Sequence, residues 1–127
     1  MTVGEVIARV DELKLNQYGR KEKIGWLSTL DGLMVREVLA WHEGIDEDVL
    51  AFAGYGEEDL EAELVVPFPY AELYDHYLMA QIDYMNGEMD HYNNCMVMYN
   101  MAVARYADWV NRTYRPIQGD GVRTSVT

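Results

Sequence analysis

The apolar residues between Pro69 and Arg115 recur along the chain in alternating steps of three and four. The stripe comprises Leu78, Ile82, Met85, Met89, Tyr92, Met96, Tyr99, Val103, Tyr106 and Val110. A repeat of about 3.5 residues places all of these side chains on one side of a helix. The pattern therefore predicts helical structure with one buried face over most of this stretch.

Asn86 and Gly87 interrupt the stripe without shifting its phase. Asn-Gly is a strong turn signal, which favours two antiparallel helices over 70–85 and 88–114. The unbroken phase also fits a single helix, straight or kinked at Gly87. Such a helix would be about 66 Å long at ~1.5 Å per residue, and would need neighbouring subunits to cover it. The sequence leaves these alternatives open.

Two further helices are predicted before this stretch. The first runs from Thr2 to about Leu13, and Thr2 with Glu5 three residues later forms a capping box. The second runs from about Arg20 to Trp41, where apolar residues again follow helical spacing. Both would supply apolar faces against which the later stripe can pack.

The segment from Gly44 to Pro69 has a different character, because it is acidic and lacks helical periodicity. Pro67 and Pro69 exclude a regular helix at its end and favour extended backbone. Leu64 to Val66 is a candidate strand that could pair with residues 51–53. We therefore expect a long loop or a short β-hairpin around 44–68.

These elements together predict an all-α fold, a small bundle of about four helices forming a single domain over 1–116. Its C-terminal part is two long helices or one kinked helix. Pro116 ends the last helix. Residues 117–127 are rich in Gly, Ser and Thr and offer little to bury, so we expect a flexible tail.

Charge is distributed unevenly along the chain, whose net charge is -12. Residues 31–90 hold 16 acidic residues against Arg36 as the one basic residue. This balance argues against a surface that grips nucleic acid, which needs clustered lysine and arginine. It fits a protein whose acidic face repels DNA or meets a basic partner.

The single cysteine, Cys95, excludes an internal disulfide, and its apolar neighbours predict a buried free thiol. No signal peptide precedes Val3, and no apolar run approaches the ~18 residues needed to cross a bilayer. We therefore expect the chain to be made and kept in the cytosol, or assembled there.

Motifs for catalysis or metal binding are weak. Glu88-x-x-His91 is half of a carboxylate-bridged di-metal motif, but no second Glu-x-x-His exists, so two surface residues are the better interpretation. Asp46-x-Asp48 lacks the glycine of a calcium loop. Cys95 and His91 lie one helical turn apart without any sign of an oxyanion loop. We expect no enzymatic activity, no cofactor and no metal.

Amides and aromatic residues on the last helix suggest a different role. Asparagine is a poor helix former, yet several asparagines lie on this stretch, and such groups can make hydrogen bonds between subunits. The candidate interface residues are Tyr92, Asn93, Asn94, Tyr99, Trp109, Arg112 and Arg115.

Several sequence runs are similar to those of a known protein family. They are KIGWLSTLDGLMVREVL, HEG, FAGY, LVVPFPYAELYDHYL, AQIDYMNGEMDHYNNCMVMYN and ARYADWVNRTYRP. The chain resembles small head–tail connector proteins encoded by tailed phages and prophages of Gram-positive bacteria. The resemblance covers about Asn16 to Pro116, and its motifs carry no chemistry of their own.

The resemblance implies a helical adaptor that forms a ring, typically twelve-fold, beneath the portal of the filled capsid. Such a ring prolongs the DNA channel, contacts DNA without sequence specificity and docks the tail stopper or completion protein. The acidic residues Glu57, Glu58, Asp59 and Glu61 would then line the channel. The alternative is a phage scaffold or regulatory protein, absent from virions, that binds a basic partner.

Overall fold

A computed structural model describes residues 1–117 of the chain. Five α-helices follow one another, and a 3₁₀ turn at Leu39–Trp41 separates the second from the third. The helices are α1 (Val3–Leu13), α2 (Arg20–Glu37), α3 (Glu47–Leu50), α4 (Glu72–Met85) and α5 (Met89–Thr113). The predicted all-α fold is confirmed, with a short additional helix in the segment expected to be a loop or hairpin.

Helices α4 and α5 form an antiparallel hairpin, which decides between the alternatives left open at Asn86-Gly87. Contacting residues run in opposite directions along the two helices. Tyr84 lies against Tyr92, Tyr77 lies against Tyr99, and Glu72 pairs with Arg105. Gly87 has a φ of 74°, a left-handed conformation that glycine adopts without steric cost. The long continuous helix is therefore ruled out, and the turn prediction is correct.

The core gathers apolar side chains from α1, α2, α4 and α5 into one cluster. Its fully buried members include Val3, Val6, Val10, Leu27, Leu30, Leu73, Leu78, Ile82, Tyr106 and Val110. Leu78, Ile82, Tyr99, Tyr106 and Val110 of the predicted stripe are buried, whereas Met85 and Met89 are 53% and 46% exposed, because the chain reverses between them and leaves both at the turn end of the hairpin. The capping box at Thr2 and Glu5 is also present, with hydrogen bonds in both directions.

The segment 44–68 is a long loop that contains the short helix α3, so of the two expected alternatives the loop is correct and the β-hairpin is not. The backbone after Leu60 pairs instead with the N-terminus, through hydrogen bonds from Val3 N–H to the Ala62 carbonyl and from Leu64 N–H to the Met1 carbonyl. Residues 47–50 form α3, whose first turn is capped by the Asp46 carboxylate. A local pattern could not anticipate pairing with residues about sixty positions away.

Two helix boundaries also differ from those predicted. Helix α2 stops at Glu37, and the chain tightens into the 3₁₀ turn before Trp41. Helix α4 starts at Glu72 rather than Pro69, because a turn closed by the Tyr70 N–H and the Pro67 carbonyl precedes it.

The expected flexible tail, 117–127, lies outside the described residues apart from Ile117. The amide of Ile117 donates a hydrogen bond to the Trp41 carbonyl.

Candidate interaction surfaces

Two of the predicted interface residues lie on the inner face of α5, which packs against the rest of the subunit. Tyr99 is buried against Tyr77, and Trp109 is half-buried among aromatic rings that include Tyr70 and Tyr106. Burial raises the pKa of Tyr99 to about 12, so its hydroxyl stays protonated at neutral pH. Both side chains contribute to the packing of the subunit itself, and Tyr99 in particular has little surface for a partner.

The opposite face of α5 is exposed and uncharged over about 17 Å at ~1.5 Å per residue. We call this surface the α5 outer strip, and it comprises Asn93, Asn94, Val97, Met98, Met101 and Ala104. Val97, Met98 and Met101 are 57%, 44% and 51% exposed. The outward face of a surface helix ordinarily carries charged side chains, but residues 91–104 include none. Exposed methionine and depleted charge are features of protein interface cores.

Two predicted interface residues therefore lie on the α5 outer strip, Asn93 and Asn94. The aromatic Tyr92 is half-buried against Tyr84 at the edge of the hairpin. The sequence pattern missed Val97, Met98 and Met101. Two features of the sequence could have pointed to these three residues. Residues 91–104 carry no charged side chain, and the three lie outside the predicted buried stripe.

Arg112 and Arg115 lie at the C-terminal end of the described chain, away from the strip. Both side chains are exposed. Backbone pairing holds this end in place, because the Glu43 N–H donates to the Arg115 carbonyl and His42 forms a bridge with Pro116. His42 Nε2 lies 2.7 Å from Asn111 Oδ1, which ties the last turn of α5 to the 3₁₀ region.

The acidic turn at 57–61 presents three of its four predicted channel residues to solvent. Glu57, Glu58 and Glu61 are exposed. Asp59 is half-buried, and its carboxylate accepts a hydrogen bond of 2.6 Å from the Gly56 N–H. Asp59 therefore shapes the turn, while the three glutamates supply its surface charge. From residue 37 to residue 104 the chain has no lysine or arginine to balance this charge.

A buried carboxylate anchors the segment that carries the acidic turn. Asp31 on α2 is fully buried and accepts hydrogen bonds of 2.5 Å from both the Tyr55 and Tyr74 hydroxyls, and one from the Val65 N–H. Burial raises the pKa of Asp31, and the three donors oppose that shift. The Tyr74 hydroxyl also accepts from the Val66 N–H, so the network joins α2, α4 and the long segment.

Ion pairs connect α1 to α4 and α4 to α5. Arg9 contacts Asp75 through two nitrogen atoms, and Lys14 Nζ lies 2.7 Å from Asp83 Oδ1. Asp83 is also fully buried, and the Cys95 thiol donates to its other oxygen at 3.5 Å. Cys95 is free, as predicted, but it is half-buried rather than buried.

No helix among the described residues is both long and apolar enough to span a membrane. Searches of protein-family models, curated proteins and solved structures give no match to this chain.

Proposed function

We propose that this chain is a structural subunit of a phage head–tail connector. In the particle it forms a ring beneath the portal, extends the DNA channel and docks the next tail component. The α5 outer strip is the observation that carries this proposal. Three exposed apolar side chains grouped on an uncharged helix face form a patch that a neighbouring subunit can bury on assembly.

The hairpin is a suitable platform for such a contact. Its inner face is held by the core, so the backbone of α5 presents the strip without having to fold on binding. A preorganised surface loses less entropy on association than a flexible one. The asparagines at 93 and 94 can then add hydrogen bonds that set the register between neighbours.

The acidic turn supports the second part of the proposal. Glu57, Glu58 and Glu61 are exposed in a region without basic residues, which suits a channel wall that DNA passes without adhering. The same charge would also suit a basic protein partner, which is the alternative of a regulatory or scaffold protein absent from virions.

Quantitative mass spectrometry of purified particles distinguishes these possibilities. A connector is expected at low copy number, close to that of the portal protein, whereas a scaffold or regulatory protein is absent from finished particles. A chain that is absent from particles while remaining abundant in the infected cell contradicts the proposal.

Charge placed on the strip provides the matching mutational test. The double variant Met98→Glu/Met101→Glu should remain folded but should not enter particles, because buried unpaired carboxylates oppose association. Met85→Glu/Met89→Glu is the control, since it adds the same two charges at exposed methionines beside the hairpin turn, outside the strip. Normal incorporation of Met98→Glu/Met101→Glu would remove the strip from the proposed contact.

A further inference from the structure

The turn between α4 and α5 brings together three side chains from different positions along the hairpin. Asp83 lies near the end of α4, Glu88 precedes α5, and His91 lies in its first turn. One ligand atom from each lies within 4.8 Å of the others. The Glu88 N–H donates to the Asp83 carbonyl at 2.9 Å, which holds the two acids at the same place. We propose that this cluster is a binding site for a divalent transition-metal ion such as Zn²⁺.

Asp83 provides an independent indication that the cluster accommodates a cation. Its side chain is fully buried, and Oδ1 accepts no hydrogen bond of standard geometry. The Lys14 ammonium lies 2.7 Å from that oxygen and forms an ion pair with it. A buried carboxylate is costly without a positive charge beside it. Lys14 supplies that charge to Asp83, and the Glu88 carboxylate pairs with the His91 imidazole, so a metal ion held among the three would add positive charge beside both carboxylates.

The donor types favour a transition metal over Mg²⁺. Carboxylate oxygen and imidazole nitrogen are both donors that Zn²⁺ accepts, and the imidazole is the donor that distinguishes a transition metal from Mg²⁺. His91 Nδ1 already lies 2.9 Å from Glu88 Oε2, so the imidazole faces the carboxylate. The sequence showed only the pair Glu88 and His91; the turn of the hairpin adds Asp83.

A metal at this position would join the end of α4 to the start of α5 and so hold the hairpin turn closed. Any ion that binds only the folded state stabilises it by RT ln(1 + L/Kd), where L is the concentration of the free ion. This inference does not depend on the proposed assembly role, since the three ligands belong to one chain and need no neighbouring subunit.

Calorimetric titration of the untagged full-length protein with ZnCl₂ tests the site directly. We expect saturable binding of one zinc ion per chain, a higher melting temperature with zinc, and no comparable binding of Mg²⁺. Glu88→Gln and His91→Gln should each weaken zinc binding by at least about tenfold, the scale on which a metal site responds to a lost supporting group. Both side chains are exposed, so neither change should disturb folding.

His76→Gln is the matched control, because it removes a histidine from α4 outside the cluster and should leave zinc affinity unchanged. Absence of saturable zinc binding to the unaltered protein would overturn the site. Undiminished binding in Glu88→Gln would also overturn it, since a lone surface histidine would then account for the affinity.

Discussion

The segment 44–68 and the α4–α5 hairpin belong to the same domain but are fixed in place differently. The hairpin buries an apolar and aromatic face, from Leu78 and Ile82 on α4 to Tyr106 and Val110 on α5, although Met85 and Met89 at its turn are exposed. The segment contains only a short helix; Leu64 and Val66 reach the core, and hydrogen bonds to distant groups, with Asp31 at their centre, fix its path. Periodicity encodes the first kind of structure, whereas the second depends on contacts that no local pattern reports.

Removing a buried aromatic side chain from the hairpin should have the largest effect on stability. Tyr106→Ala would leave a cavity in a fully packed region and should lower the free energy of unfolding by about 4 kcal/mol. Denaturant unfolding measures this loss. Tyr84→Ala is the control, because Tyr84 is 55% exposed at the other end of the hairpin. An equal loss in the two variants would mean that the inner stripe does not hold the hairpin.

Asp31→Asn should be the next most damaging change, because it disturbs every bond that centres on this carboxylate. We expect a loss of about 2 kcal/mol from mismatched buried donors. Burial in the folded protein raises the pKa of Asp31 above its ordinary value of 3.8. The protonated side chain therefore contributes to the free energy of unfolding below pH 3.8. This contribution is lost as the pH rises through the pKa of the folded state. The cost of the substitution should therefore decrease as pH rises above 3.8, and a cost that grows with pH would contradict this assignment.

Tyr55→Phe isolates one bond of the same network. It removes the hydroxyl that donates to Asp31 while retaining the ring against Phe52, and should cost about 1 kcal/mol. Hydrogen exchange should also become faster in residues 51–66. Tyr18→Phe is the control, since its hydroxyl bonds Asn86 at an exposed site, and it should cost less.

Substitutions on the α5 outer strip should have the smallest effect on stability. Met98→Gln/Met101→Gln should change the free energy of unfolding by no more than about 0.5 kcal/mol, because both side chains already face solvent. Val110→Gln, on the buried face of the same helix, should be strongly destabilising. A large loss in the double variant would show that the strip serves the fold of the subunit rather than an interaction.

These differences explain how far the sequence could predict the structure. The stripe and the Asn86-Gly87 turn predicted the hairpin to within a few residues, because the burial of one helix face leaves a direct periodic record. No periodic pattern indicates that Leu64 pairs with Met1. None indicates that the Tyr55 and Tyr74 hydroxyls both bind Asp31. The same limit applies to the surfaces: Asn93 and Asn94, chosen as interface candidates for their chemistry, are exposed, whereas the candidate Tyr99 is buried in the core.

Chemical labelling of the α5 outer strip in assembled particles tests the central claim most directly. A Cys95→Ser/Met101→Cys variant places a single thiol on the strip, where it should react readily with an alkylating reagent in the free protein. In purified particles the same thiol should be protected by at least about tenfold, because a neighbouring subunit or the portal covers it. Equal reactivity in the free and particle-bound protein would contradict the proposal that this face is the assembly surface.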